Sequence, residues 1–295
     1  MSASRIALVT GANQGLGRAL VEGLAARLHP DDLVLLTGRN PQRVEDAARE
    51  VTQLPGTRAR VEGRVLDVTD TAAVAALAKE LESRYGGVDI VVSNAVARLL
   101  PEDSQAARAD EFIDVSNTAT HAVLRSFGPA LRPGGRLLVV ASSLGTLGHL
   151  DPRLHHLFES ASLDQVEETV ESWRRAIHNG TATEEGWPVW LNVPSKVAQV
   201  AAVRAVAAAR REHDLATGTL VASVCPGMVD TATSRPWFSD YSHAQSPSQA
   251  AVAILDLIFA ERVDPALHGE LVRFGKALPW HDGTPPVEQD RIVTP

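Results

Sequence analysis

The chain has 295 residues, 44% hydrophobic and 22% charged, with a formal net charge of −8. That length accommodates one large α/β domain that buries its own core, and the negative field argues against nucleic acid as a partner. A single cysteine, Cys225, excludes an internal disulfide and a thiolate zinc cluster, and no histidine spacing, His155-His156 included, matches a metal site, so no metal is expected.

Short apolar runs at 6–9, 33–36, 64–68, 89–92, 136–141, 220–225 and 270–274 are rich in Val, Leu and Ile and do not alternate with polar residues. Such runs predict strands buried on both faces of a parallel sheet. Helical patterns lie between them. Leu16, Leu20, Leu24 and Leu28 recur at helical spacing, as do Val74, Leu77 and Leu81 behind Asp70 as N-cap. Phe112, Val115, Ala119, Val123 and Phe127 predict a further helix, stopped by Pro133-Gly134-Gly135.

Residues 146–190 interrupt this rhythm with a helical insertion. Ser162 and Gln165 predict a capping box; Val166, Val170, Trp173 and Ile177 form one apolar face, ended by Asn179-Gly180. That face is expected to pack on the next long helix. The alternation predicts a single Rossmann-type, doubly wound α/β domain over 1–280: a seven-stranded, mostly parallel sheet flanked by helices, with the insertion before the sixth long helix. A polar, Pro-rich tail follows at 281–295. No apolar run approaches the ~20 residues of a membrane span, and the run at 6–9 is too short for a secretory leader. The expectation is a cytoplasmic protein that does not engage membranes.

Directly after the first run comes Thr10-Gly11-Ala12-Asn13-Gln14-Gly15-Leu16-Gly17, opening a helix. Gly11 permits the tight turn, Gly15 lets the backbone approach a pyrophosphate, and Gly17 allows close helix–strand packing at an anion-attracting helix N-terminus. The second run leads into Arg39, where an acidic residue would bond an adenosine 2′-hydroxyl; an Arg pairs with a 2′-phosphate instead. NADP is therefore expected over NAD, although Gln14 adds no second positive charge.

The Thr10-Gly-x-x-x-Gly15-x-Gly17 pattern resembles the short-chain dehydrogenase/reductase family, and the likeness runs along the chain. Asp67-Val68 resembles the adenine-contacting pair. Ser93-Asn94-Ala95-Val96 stands where the family has Asn-Asn-Ala-Gly, differing at two of its four positions. Asn117 falls at the mid-helix Asn of the proton relay, which implies a water ordered beside Lys196. Ser142, with its Ser-x-x-Gly145 spacing, matches the catalytic Ser. The stretch Pro226-Gly227-Met228-Val229-Asp230-Thr231 matches the Pro-Gly loop whose Thr holds the nicotinamide carboxamide. Within the family the resemblance is closest to the monomeric carbonyl reductases, through Glu185-Gly186-Trp187-Pro188 at the end of the insertion and His268-Gly269, Lys276 and Trp280. It implies the fold over about 4–280. It also implies a monomer, because in those relatives the insertion covers the face otherwise used for dimerisation.

The family's Tyr-x-x-x-Lys becomes Asn192-Val193-Pro194-Ser195-Lys196. An amide has no proton to give near neutral pH. Ser142 and Lys196 remain to polarise a carbonyl and hold a nucleotide, and Lys196 is one of only three lysines, with Lys79 and Lys276. Three readings stay open. The first is an NADP(H)-dependent reductase whose proton comes from Lys196 through water, or from Tyr241 or His243. The second is a non-redox enzyme for elimination, isomerisation or cyclisation, and the third a nucleotide-binding partner or sensor. Asn192 is also a candidate N-cap for a helix beginning near Pro194. Trp187, Trp190 and Trp237 are candidate walls of a pocket for a bulky, fairly apolar small molecule.

Overall fold

The computed structural model describes residues 4–281. The strands are β1 (Ile6–Val9), β2 (Leu33–Gly38), β3 (Arg60–Val65), β4 (Val88–Ser93), β5 (Leu131–Val140), β6 (Leu220–Cys225), β7 (Leu271–Arg273) and β8 (Lys276–Leu278). They form one sheet in the order β3-β2-β1-β4-β5-β6-β7-β8. The pairings from β3 to β7 are parallel, and β8 returns antiparallel on β7. The expected seven strands are thus eight. The turn into β8 is Phe274-Gly275, with φ of 48° and 76°. Positive φ at both central residues suits a tight hairpin, but Phe in the first place carries no Asn-Gly or Asp-Gly signal.

Two strand boundaries also differ from the sequence reading. β3 begins at Arg60 and ends at Val65, and as the sheet edge it exposes Arg60 and Val65. An edge strand faces solvent and need not read as a continuous apolar run, so Asp67 and Val68 fall beyond its end. β5 begins at Leu131 and carries Pro133-Gly134-Gly135 within it, where the register against β4 shifts between Val88 and Ile90. The Pro-Gly-Gly stretch that marks the helix end is a strand irregularity as well.

The helices are α1 (Gly15–Arg27), α2 (Pro41–Gln53), α3 (Thr71–Tyr85), α4 (Gln105–Ile113), α5 (Ala119–Ala130), α6 (Leu163–Asn179), α7 (Asn192–Thr217) and α8 (Pro247–Ile258). Alternating strand residues face two cores. Ala7 and Val9 join α1, α2 and α8 through Leu20, Val44 and Ile254. Ile6 and Leu8 join α3, α5 and α7 through Leu77, Phe127 and Val200. The helix predicted through 112–127 is present but wound as α4, a π turn at Asp114–Thr118, then α5.

The insertion forms α6 with the expected ends. Ser162 and Gln165 make the capping box, and Gly180 closes the helix in the left-handed conformation. Val166, Val170 and Trp173 are buried, and α6 packs on α7 and also on α4. At ~1.5–3 kcal/mol per fully buried large apolar side chain, this stripe outweighs the surface ion pairs beside it. Those pairs, Arg174 to Asp114 of the π turn at 2.6 Å and Arg125 of α5 to Asp164 at 2.7 Å, flank the stripe. Among the described residues no helix is long and apolar enough to cross a membrane. The tail assigned to 281–295 lies, beyond His281, outside the described residues.

Strand order reverses between β1 and β4, so the carboxyl ends of these strands open a crevice, the usual ligand position in such sheets.

Candidate functional site

The glycine loop lies at that crevice. Gly11 and Gly15 have φ of 61° and 56°, a region open to Gly at little cost. A Cβ on Gly11 would sit 2.8 Å from Ala95 Cα, so the loop lies flat against the end of β4. Asn94 locks this contact: its Nδ2 donates to the carbonyls of Thr10 at 3.0 Å and Gly11 at 3.2 Å. The Thr10 hydroxyl accepts from the Asn94 and Ala95 amides. A Cβ on Gly17 would meet Asn94 Nδ2 at 2.5 Å and Gly11 O at 2.6 Å. Gly17 therefore makes room for the Asn94 clamp as well as for helix packing. The Asn94 amide is committed behind the loop, where the sequence reading set it beside a ribose.

In front, the loop is open. Gln14 precedes α1 in an extended conformation with no side-chain cap, and the first turn of α1 holds no acidic residue. Its leading amides are thus left facing outward, where an anion is favoured. The nearest neighbour of a Cβ on Gly15 would be Thr231 Cγ2, at 3.5 Å. Thr231 arrives on the Pro226–Gly227 loop, which Gln245 pins through Met228 O, the Asp230 amide and Pro226 O. Leu16 and Val229 are buried beneath. At the other end, a Cβ on Gly38 would touch Asn13 Oδ1 at 3.0 Å, so Asn13 folds over the end of β2. Arg39 is exposed beside Asp67. The Asp67 carboxylate accepts from the Thr69 amide and hydroxyl at 3.0 and 2.8 Å; these bonds, with Arg39 nearby, hold it below the usual carboxylate range. Val68 is buried. An uncapped helix start, a cradle bounded by Gly15 and Thr231, and an exposed Arg39 fit a dinucleotide carrying a 2′-phosphate.

The catalytic candidates meet at the end of β5. Ser142 starts a tight turn, its Oγ accepting from the Leu144 amide at 3.3 Å. This turn rests on α7: a Cβ on Gly145 would lie 2.9 Å from Lys196 O and 2.7 Å from Val200 Cγ2. Lys196 runs beneath, its Nζ donating to Val140 O at 3.3 Å and Gln199 Oε1 at 2.7 Å. No carboxylate pairs with it among the described residues, and burial lowers its pKa to about 8. Asn117, in the π turn, donates to Ser195 O at 3.0 Å, while its Oδ1 is buried without a partner. That orphan acceptor offers a place to hold a water.

Asn192 does not cap a helix starting at Pro194. The helix starts at Asn192 itself, after Leu191, with no side-chain cap. Asn192 is half-buried and makes no side-chain hydrogen bond among the described residues. Four residues before Lys196, it shares that residue's helix face. Trp187 is not a pocket wall: it is buried in the insertion core against Trp173 and Phe158, at 5.9 and 6.3 Å between ring centroids. Trp190 and Trp237 do pair, at 5.4 Å, and Trp237 Nε1 donates to Leu99 O at 3.0 Å. They close the 226–246 loop over the segment leading to Asn192. Tyr241 stacks edge-on against Phe238, its phenol pushed up by burial beside Ser234. His243 is exposed. Sequence reasoning missed Gln199 and Gln245; neither has a residue signal of its own, though Gln199 stands one turn beyond a lysine already singled out. No cluster of metal-ligating side chains exists among the described residues.

A family profile described as short chain dehydrogenase matches residues 5–151. Carbonyl reductase (NADPH) 1 of Oryctolagus cuniculus is 30% identical over 286 residues, covering 94% of this chain and 98% of that protein. The chain belongs to the short-chain dehydrogenase family. Among solved structures, salutaridine reductase of Papaver somniferum superposes with a TM-score of 0.75 at 21% identity, covering 90% of this chain and 99% of that one. Menthone neomenthol reductase of Mentha piperita does so at 0.72 and 21%, covering 93% and 100%. These two likenesses speak for the fold.

Proposed function

We propose that the protein is an NADP(H)-dependent oxidoreductase that reduces the carbonyl of a bulky, largely apolar small molecule, working as a cytoplasmic monomer with Lys196 as its acid. The observation that carries this reading is Lys196: buried, unpaired with any carboxylate among the described residues, lowered to about 8, and packed under the turn that presents Ser142. A group with that pKa gives up a proton near neutral pH far more readily than an ordinary lysine. The relative named for NADPH and exposed Arg39 both favour NADP over NAD.

Gly11, Asn13, Gln14, Gly15, Leu16 and Gly17 would shape the pyrophosphate cradle. Arg39 would hold the 2′-phosphate, Asp67 and Val68 would flank the adenine, and Ala95 would back the ribose while Asn94 braces the loop from behind. Pro226, Gly227, Val229 and Thr231 would hold the carboxamide, and the bound nicotinamide would supply or accept the hydride. Ser142 Oγ–H donates to the carbonyl oxygen and polarises it. Asn192 Nδ2–H donates a second bond from its place on the Lys196 face of α7 and orders the intervening water. Lys196 releases one proton: its N–H bond breaks, the water carries the proton to the oxygen, and the alcohol O–H forms. Neutral Lys196 then regains a proton from solvent once product leaves. His243 is exposed, and the phenol of Tyr241 is raised in pKa by burial, which makes it the weaker acid.

The test is incubation with 4-deuterated NADPH and a panel of ketones and quinones. Deuterium in a product alcohol is the expected result. Substrate consumed with NADPH intact would overturn the redox reading in favour of elimination, isomerisation or cyclisation. NADPH binding without turnover across the panel would favour a sensor, and no NADPH binding would overturn all three readings.

A further inference from the structure

Gln199 sits one helical turn beyond Lys196 and is 2% exposed. Its amide is fully engaged. Oε1 accepts from Lys196 Nζ at 2.7 Å, and Nε2 donates to Ser116 O at 2.6 Å and to Thr120 Oγ1 at 3.1 Å. The Thr120 hydroxyl in turn donates to Ser116 O at 2.7 Å, so that oxygen is free only to accept. The network therefore dictates which way the amide points. Reversed, its NH2 would face an ammonium and its oxygen a carbonyl. Ser116 belongs to the π turn, which Asn117 also ties to α7 through Ser195 O. A π turn inside an otherwise α-helical run is a common mark of a functional position.

We propose that Gln199 is a positioning residue that holds the Lys196 ammonium toward Ser142 and closes the proton route behind it. The inference rests on Lys196 being the acid. Two of the ammonium's three N–H bonds go to Val140 O and Gln199 Oε1, leaving the third without a protein acceptor among the described residues. An amide accepts at oxygen and donates at nitrogen but does not hand a proton through itself as a water or hydroxyl does. Lys196 can then lose and regain its proton only on the crevice side, where the substrate oxygen lies. Among the described residues no carboxylate stands against the ammonium. From β6 comes Cys225, kept as a thiol by burial, with Ser143 and Arg273 beyond it; behind the Gln199 amide stand Ser116 of the π turn and Thr120 of α5. With no carboxylate at hand, the carbonyl end of the Gln199 amide is the closest compensation for the buried charge.

The test needs neither cofactor nor turnover. The chain has three lysines, so 13C-lysine labelling yields three side-chain Cε signals, and Lys196→Gln identifies the one that matters. In the wild type that signal should titrate near 8. Gln199→Leu, which removes the acceptor, should lower the midpoint by about half a unit or more, and Gln199→Glu should raise it by about one unit or more. The basic limb of ketone reduction should move in the same directions. Unmoved midpoints in both folded variants would overturn the proposal, and if Gln199→Leu does not fold, Gln199→Glu decides it alone. Deuteride transfer that survives in Lys196→Gln would overturn the acid role of Lys196, while the response of the Lys196 midpoint to Gln199 would still stand or fall separately.

Discussion

Gly145 lies so close to Lys196 that a Cβ on it would sit 2.9 Å from the lysine's carbonyl oxygen. The glycine of Ser-x-x-Gly is therefore the point where the turn bearing Ser142 touches the helix bearing Lys196. Gly145→Ala must push that turn and α7 apart, since backbone atoms cannot rotate away as side-chain tips do. Overpacking of this kind costs about 1–3 kcal/mol. A displacement near 1 Å between catalytic groups costs on the order of 100-fold in rate. The expected outcome is a folded protein that binds NADPH as before and loses most of its ketone reduction. Unchanged kcat with normal thermal stability would show that the contact does not set the Ser142–Lys196 alignment.

Arg39 is exposed at the end of β2, close enough to the Asp67 carboxylate to lower its pKa. A charge-assisted bond to a 2′-phosphate contributes about 1.5–3 kcal/mol. Arg39→Ala should therefore weaken NADPH binding by roughly 10- to 100-fold and leave NADH nearly untouched. Titration of nicotinamide fluorescence with both nucleotides checks this. Equal losses for both would assign Arg39 to general electrostatics.

The strands that line the crevice, β1, β2, β4 and β6, read directly from the sequence because burial on both faces leaves mostly apolar residues there. β3 and β8 are edges, where solvent permits Arg60, Glu62 and Lys276, so hydrophobicity does not mark their limits. The glycine loop was legible because each glycine answers a steric demand, but Gly17 also answers to Asn94, 77 residues away in sequence, and no local pattern shows that. Trp187 shows the reverse error: a large aromatic near a catalytic position reads as a pocket wall until Trp173 and Phe158 are seen to enclose it. Gln199 was invisible for a different reason. A glutamine inside a long helix is ordinary, and its meaning appears only when Ser116, on another helix, takes its second hydrogen bond.

His121 of α5 carries a prediction about stability. It is 3% exposed, burial lowers its pKa to about 4, its Nε2 has no hydrogen-bond partner among the described residues, and Glu167 of α6 is 3.9 Å from its Nδ1. Unfolded, it titrates near 6.5. The folded form thus stays neutral while the unfolded chain takes up a proton, so stability falls as pH drops from about 6.5 toward 4, by roughly 3 kcal/mol at most from this residue. His121→Leu should flatten that part of the curve, read as melting temperature from pH 7 to 4. An unaltered acid slope would assign the loss to other groups.

Asn192 gives the sharpest test of what the site still holds. At the first position of α7 it makes no side-chain hydrogen bond among the described residues, so replacing it forfeits no protein contact of that kind. A phenol there would stand one turn from Lys196 on the same face of the helix. The buried ammonium would lower the phenol's pKa, and Ser142 would still bond the carbonyl oxygen. Asn192→Tyr should therefore raise the reduction of simple ketones by about 10²–10⁴-fold, the usual contribution of a positioned acid. NADPH affinity should not change. Lys196→Gln in that background should remove most of the gain, because the phenol would lose the charge that tunes it. A variant that binds NADPH, folds normally and gains nothing would place the substrate oxygen out of reach of position 192 and leave Lys196 and its water as the only route for the proton.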